Sequence, residues 1–191
     1  TCASGSFNYT ITPPLSSTFI SSDYNGNNIS CNGSNDGNID LSTLGGHPPY
    51  SYVWNNGDVS EDLSNLNAGV YSVIITDTNE CSTSETIILN EPSPLLVIDS
   101  LSDYNGYNIS CNSYSNGAIN LNVSGSVPGY TYLWNNGSIS EDLTGISAGI
   151  YSIDITDSNL CVISTVFNLF EPSIIEVIPT LSEINGYNIC N

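Results

Sequence analysis

Apolar and polar residues alternate with a period of two in short runs along this chain, and no segment carries a helical apolar stripe. In Tyr71-Ser72-Val73-Ile74-Ile75, and again in Tyr151-Ser152-Ile153-Asp154-Ile155, the odd positions stay apolar. Ile74 gives way to Asp154, so the other face looks to solvent, and the pattern predicts a half-buried β-strand. Ile39 with Leu41 (Ile119 with Leu121) predicts a second strand. Tyr50, Tyr52 and Trp54 (Tyr130, Tyr132, Trp134) predict a third, and Ile87 with Leu89 (Phe167 with Leu169) a fourth. Leu95 and Val97 (Ile175 and Val177) open each copy. Between these runs stand turn formers: Asn35-Asp36-Gly37, Asn55-Asn56-Gly57, Asn67-Ala68-Gly69, and Asp77 with Asn79.

The paired residues are copies at a shift of eighty positions. Asp23-Tyr24-Asn25-Gly26 returns as Asp103-Tyr104-Asn105-Gly106, and Asn28-Ile29-Ser30-Cys31 as Asn108-Ile109-Ser110-Cys111. Trp54-Asn55-Asn56-Gly57, Ser60-Glu61-Asp62-Leu63, Thr76-Asp77, Cys81 and Glu91-Pro92 all return eighty residues on. Self-similarity at a fixed period is the signature of an array. We expect residues 14–92 and 93–172 to be two full repeats. By the same pattern, residues 1–13 are the last strand of a preceding repeat and residues 173–191 the first strand of a following one. Short strands at regular spacing, a central strand bearing Trp and a later strand opening with Tyr predict an all-β chain of tandem immunoglobulin-like β-sandwiches. Glu-Pro marks the boundaries.

Charge narrows the function. The 191 residues include 19 acidic side chains and no Lys or Arg, for a net charge of -19. Neutralising nucleic-acid phosphates requires Lys or Arg, so that partner is excluded. An anionic membrane surface repels the chain for the same reason, and no stretch reaches the roughly 18 apolar residues of a span. Disorder is also excluded, because 39% of residues are hydrophobic and only 10% charged. Six cysteines without C-x-x-C spacing point to disulfides and an oxidising compartment.

Pro49-Tyr50-Ser51-Tyr52-Val53-Trp54-Asn55-Asn56-Gly57, then Ala68-Gly69-Val70-Tyr71, then Thr76-Asp77-Thr78-Asn79-Glu80-Cys81 resembles the SprB repeat. Ser30-Cys31-Asn32-Gly33 with Asp36-Gly37 fits its preceding part, and Glu91-Pro92 its following part. The second copy departs at Gly129, where the pattern has Pro, and at Leu160, where it has Gly. The resemblance implies a large cell-surface adhesin of Bacteroidetes type, exported by the type IX route and serving gliding motility, attachment or cell capture.

The candidate residues follow. Cys2, Cys31, Cys81, Cys111, Cys161 and Cys190 are candidate structural disulfides. Three pairings are open: within a copy (Cys31–Cys81, Cys111–Cys161), across boundaries (Cys2–Cys31, Cys81–Cys111, Cys161–Cys190), or Cys31–Cys161 between facing ends of neighbouring repeats. In an immunoglobulin-like sandwich the within-copy partners lie at opposite ends, so the boundary scheme is preferred. Trp54, Trp134, Tyr71 and Tyr151 are expected in the cores, since Trp alternates with Tyr on one face. Calcium needs six to eight oxygens on loops. Glu61, Asp62, Asp77, Glu141, Asp142 and Asp157 are the candidate ligands, yet Asp36, Asp40 and Asp58 lose their charge in the second copy. We therefore expect no cofactor beyond a possible calcium ion. His47 is the single histidine and has no nucleophile or orienting partner nearby, so no catalytic constellation is formed.

These readings describe a non-enzymatic, extracellular stalk or filament segment whose partners are the neighbouring repeats of its own chain. Two alternatives accompany it. One is a module gripping a surface glycan or protein through the Asn55–Asp62 loops. The other is a subunit polymerising with further copies into a filament.

Overall fold

The computed structural model describes residues 12–178 and the backbone at 183–184 and 187–188. Among the described residues the chain is all-β, without helix. The first copy holds β1 (Ser16–Ser21), β2 (Gly37–Leu44), β3 (Ser51–Trp54), β4 (Leu63–Leu66), β5 (Gly69–Thr76) and β6 (Ser82–Leu89). The second holds β7 (Leu96–Leu101), β8 (Gly117–Ser124), β9 (Thr131–Trp134), β10 (Leu143–Ile146), β11 (Gly149–Thr156) and β12 (Val162–Leu169). A short hairpin of β13 (Glu183–Ile184) and β14 (Tyr187–Asn188) follows.

Strand order is β1-β2-β4 in one sheet and β3-β5-β6 in the other, and β7-β8-β10 and β9-β11-β12 repeat it. Read as immunoglobulin strands, these are the A-B-E and C-F-G sheets without strand D. Trp54 then sits on strand C and Tyr71 opens strand F. The Tyr71 hydroxyl donates to the Asn67 carbonyl at 3.0 Å, and Tyr151 donates to Ser147 at 3.0 Å. This is the tyrosine corner of such sandwiches, which clamps the E–F connection.

Alternation decides which face is buried. In β5, Val73 and Ile75 are 1% and 0% exposed, while Ile74 between them is 53% exposed. Ile39, Leu41, Leu63 and Leu66 from one sheet and Trp54, Val73, Ile75, Ile87 and Leu89 from the other form a single apolar cluster. The second copy buries Ile119, Leu121, Trp134, Leu143, Ile153, Ile155, Phe167 and Leu169 at the matching places. Tyr71 is only half-buried against its cluster, as is Tyr151 along its strand, because each keeps its hydroxyl at the corner. Both tyrosines were expected in the cores; Tyr71 packs at the edge of its cluster rather than inside it.

Two core contributors break the alternation. Ile29 and Ile109 lie outside any strand yet are fully buried. The N–H groups of Asn28 and Ile29 both donate to the Asn90 carbonyl, closing the chain over the end of β6. Ile29 presses on Gly37, where a β-carbon would lie 2.5 Å from Ile29 Cδ1 and 3.0 Å from the Leu66 carbonyl oxygen. Strand β4 pairs with β2 through a bulge, with Asn65 at φ 56°. That bulge puts Leu63 and Leu66 on one face at a spacing of three.

The chain divides into two compact units. The first runs to Val97 and takes in Val123–Thr131 and Ile155–Ile163; the second holds Ile98–Asn122, Tyr132–Asp154 and the chain from Ser164 on.

Two substitutions probe this packing. Trp54→Ala should cost about 3–5 kcal/mol, the range for deleting a buried aromatic side chain. Gly37→Ala, which overpacks against Ile29 and the Leu66 carbonyl, should cost about 1–3 kcal/mol. Urea unfolding followed by circular dichroism measures both, and an unchanged midpoint for either would refute the packing described.

Candidate functional site

The turn after strand F is built around one carboxylate. Asp77 Oδ1 accepts the N–H groups of Asn79 and Cys81, each at 2.9 Å, and Oδ2 accepts the His47 N–H at 2.9 Å. Asp157 repeats this. Its Oδ1 accepts Asn159 and Cys161, each at 2.8 Å, and its Oδ2 accepts the Val127 N–H at 3.1 Å and the Ser126 hydroxyl. Both carboxylates are buried. Burial pushes each carboxyl pKa up, but the donated hydrogen bonds outweigh it and hold both below the ordinary aspartate value. Glu80 and Leu160 complete the turns at φ 66° and 67°, in the left-handed region, which explains why the family pattern has glycine there. His47 itself is exposed and serves through its backbone, its carbonyl accepting the Thr78 N–H and hydroxyl at 3.0 Å each.

This turn delivers a cysteine. Cys161 is bonded to Cys31, 130 residues away, with their Cα atoms 5.7 Å apart. Asn159 fixes the approach: its Nδ2 donates to the Ser30 carbonyl at 2.9 Å and to the Tyr24 carbonyl at 3.2 Å. Its Oδ1 accepts from Asn25 Nδ2 at 2.5 Å. All of these residues belong to the first compact unit.

The disulfide corrects the preferred pairing. With Cys31 bonded to Cys161, neither is available to Cys2 or Cys190, which lie outside the described residues. Cys81 and Cys111 are exposed thiols rather than partners. The within-copy scheme fails too, because Cys31 is bonded to the cysteine of the second copy's turn and Cys81 is free.

The other side of the bond is held by the Glu-Pro motif. Glu91 Oε2 accepts the Gly33 N–H at 2.6 Å, and the Pro92 carbonyl accepts Asn32 Nδ2 at 3.1 Å. In the second copy Glu171 accepts the Ser113 N–H at 2.7 Å and Asn112 Nδ2 at 3.0 Å. In the sequence Glu-Pro stands as a boundary marker and as the closing part of the SprB resemblance, with no role assigned to its carboxylate. Its return at the same distance from Ser-Cys-Asn was the available signal.

The remaining candidates have structural roles. Trp54 and Trp134 are 2% and 1% exposed, and each indole N–H donates at 2.8 Å into its own loop, to the Ser60 and Ser140 carbonyls. Asp62 Oδ1 accepts the Leu41 N–H at 2.9 Å, and Asp142 the Leu121 N–H at 2.8 Å. Burial pushes the Tyr52 phenol up; the Thr43 hydroxyl opposes this and the nearby Glu61 carboxylate adds to it. Glu141 is exposed. Among the described residues, no three His, Cys, Asp or Glu side chains gather as a metal site. No helix there is long and apolar enough to cross a membrane.

The SprB repeat family matches residues 24–59 and 107–139, so the chain carries two SprB repeats. They point to a segment of an adhesin-type cell-surface protein. No curated protein matches the chain. Among solved structures it is similar to murine CEACAM1b at 16% identity, over 87% of this chain and 89% of that one, with a TM-score of 0.30.

The buried aspartates set the acid stability. A carboxyl whose folded pKa lies below its unfolded value of about 3.9 stabilises the fold above that pH and loses its contribution as pH falls through the folded value. Thermal unfolding should therefore be level from about pH 7 to 5 and weaken below about pH 4. Asp157→Asn should melt lower at neutral pH and show a shallower acid limb; limbs of equal slope would refute the role assigned to this carboxylate.

Proposed function

We propose that this chain, built of SprB repeats, is a load-bearing stalk segment of an extracellular cell-surface adhesin, acting without a catalytic step. One observation carries the reading. The Cys31–Cys161 bond closes 130 residues into a covalent loop, joining a residue of one sequence copy to a residue of the next. Tension applied at the chain termini then has a covalent path through the sulfurs, which bypasses strands β2 to β11 inside that loop. The net charge of -19 suits such a role, because it keeps parallel stalks apart. Attachment, gliding or cell capture is the activity such a stalk would support, with type IX export as its route.

Stretching single molecules tests this. Reduction should lengthen the extended chain by roughly 450 Å, the reach of 130 freed residues at about 3.5 Å each. Equal extended lengths with and without reductant would overturn the reading. In solution, Cys31→Ser should lower stability by up to about 5 kcal/mol on the chain-entropy account of so long a loop.

No metal is required in this reading, because the buried carboxylates are satisfied by N–H groups. A chelator at constant ionic strength should leave the melting temperature unchanged, and a fall would reinstate calcium at Asp62, Asp77 or their repeats.

The second reading, a glycan- or protein-binding module, draws on the tips of the Asn55–Asp62 type loops. Val59 and Ile139 there are 71% and 77% exposed. A glycan array probed with the whole chain separates it from the stalk.

A further inference from the structure

Among the described residues, the unpaired cysteines Cys81 and Cys111 sit on surfaces already shaped like the two sides of the closed bond. Around Cys111, the Tyr104 N–H donates to Tyr107 at 2.7 Å, the Tyr104 hydroxyl to the Asn116 carbonyl at 3.1 Å, and the Ser110 N–H to Asn116 Oδ1 at 3.2 Å. The same bonds around Cys31 measure 2.7, 3.2 and 3.1 Å. Asn105 holds φ 55° where Asn25 holds 53°. The Ser110 and Tyr104 carbonyls therefore stand where Ser30 and Tyr24 receive Asn159. The turn bearing Cys81 matches the turn bearing Cys161 equally well. The bond from the Asp N–H to the Cys carbonyl is 3.0 Å in both, and the bond from Glu80 or Leu160 back to the Asp carbonyl is 3.1 Å in both.

What differs is cover. Tyr24, Cys31, Asn159 and Cys161 are half-buried, whereas Tyr104, Cys111, Asn79 and Cys81 are exposed. Beside the closed bond Leu95 is half-buried; its counterpart beside Cys111, Ile175, is 94% exposed and belongs to no described strand. An apolar, preformed acceptor face and a preformed donor turn are thus both uncovered on one molecule. They are complementary to each other.

We propose that the face around Cys111 is a docking site for the Asp77–Cys81 turn of a second copy of this chain, closed by a Cys111–Cys81 disulfide. Asn79 of the incoming turn donates to the Ser110 and Tyr104 carbonyls and pairs with Asn105, as Asn159 does with Ser30, Tyr24 and Asn25. Closure is thiol–disulfide exchange with a small-molecule disulfide. One thiolate attacks the oxidant, and the second displaces it from the mixed disulfide. The two cysteines together lose two protons and two electrons, and the oxidant leaves as two thiols. The contact is heterologous, so each added copy presents a fresh Cys111 and copies join head to tail. The proposal rests on the stalk reading and extends it from one staple to a chain of them.

The test uses whole chains with Cys2→Ser and Cys190→Ser. One variant also carries Cys81→Ser and keeps Cys111; the other carries Cys111→Ser and keeps Cys81. They are mixed with reduced and oxidised glutathione at about 1 M salt, where the Debye length of about 3 Å suppresses repulsion between the acidic chains. The expected product is a covalent heterodimer, in at least about tenfold excess over either homodimer, with a Cys111–Cys81 peptide in the digest. Adding Asn79→Ala to the turn-bearing variant should lower its yield about tenfold, equivalent to about 1.4 kcal/mol of lost hydrogen bonding. The alkylation rate of Cys81 should not change. Statistical proportions of the three dimers, or a yield indifferent to Asn79→Ala, would overturn the proposal. The Cys31–Cys161 peptide in the same digest keeps the two readings apart: its absence defeats the stalk, and its presence without a Cys111–Cys81 peptide defeats the docking site alone.

Discussion

With no Lys or Arg in the chain, a buried carboxylate is stabilised chiefly by hydrogen-bond donors, and here those donors are mostly backbone N–H groups. Asp77 and Asp157 each take three backbone N–H groups, Asp62 and Asp142 one apiece, and Glu91 and Glu171 hold the turns that follow Cys31 and Cys111. Asp23 and Asp103 bind the N–H groups of Gly26 and Gly106 at 2.7 Å. Charged acceptors make hydrogen bonds roughly twice as strong as neutral ones. Acidity, which on composition alone reads as a solvated surface, therefore becomes the means by which loops are pinned.

Pinned loops are what the disulfide needs. Cys161 follows a turn whose backbone Asp157 has already closed, and Cys31 lies in a segment tied to Glu91, Pro92 and Asp36. The core supports each from beneath: Ile29 is fully buried two residues before Cys31, and Ile155 is fully buried two residues before Asp157. Differences between the two copies fall where the fold tolerates them. Asp36 becomes Asn116, which keeps the Oδ1 acceptor for Ser110. His47 becomes Val127, and the backbone N–H that binds the aspartate is kept. Ile74 becomes Asp154 on an exposed face.

The strands that alternate cleanly were legible in the chain: β2, β3, β5 and β6, and their repeats. So were Trp54 and Trp134 as core residues. Strand β4 was not, because its bulge at Asn65 places Leu63 and Leu66 three apart and erases the period of two. Ile29 escaped for a related reason, being buried from a segment with no regular secondary structure. The carboxylate turns were visible as Asx-type turns. The partners on the far side, His47 and Val127, were not, since a backbone N–H leaves no trace in side-chain identity.

Alternation and repetition are local properties, and they settle from the string of residues that this is an array of β-sandwiches with Trp inside. Cysteine pairing is not local. Closing a loop of 30, 50 or 130 residues differs in cost by no more than about 1.3 kcal/mol, because the entropy grows only with the logarithm of length. No spacing rule can then choose among partners. The choice fell to the folded molecule, where the Asp157 turn and the Asn159 amide bring one sulfur, and only that one, to Cys31.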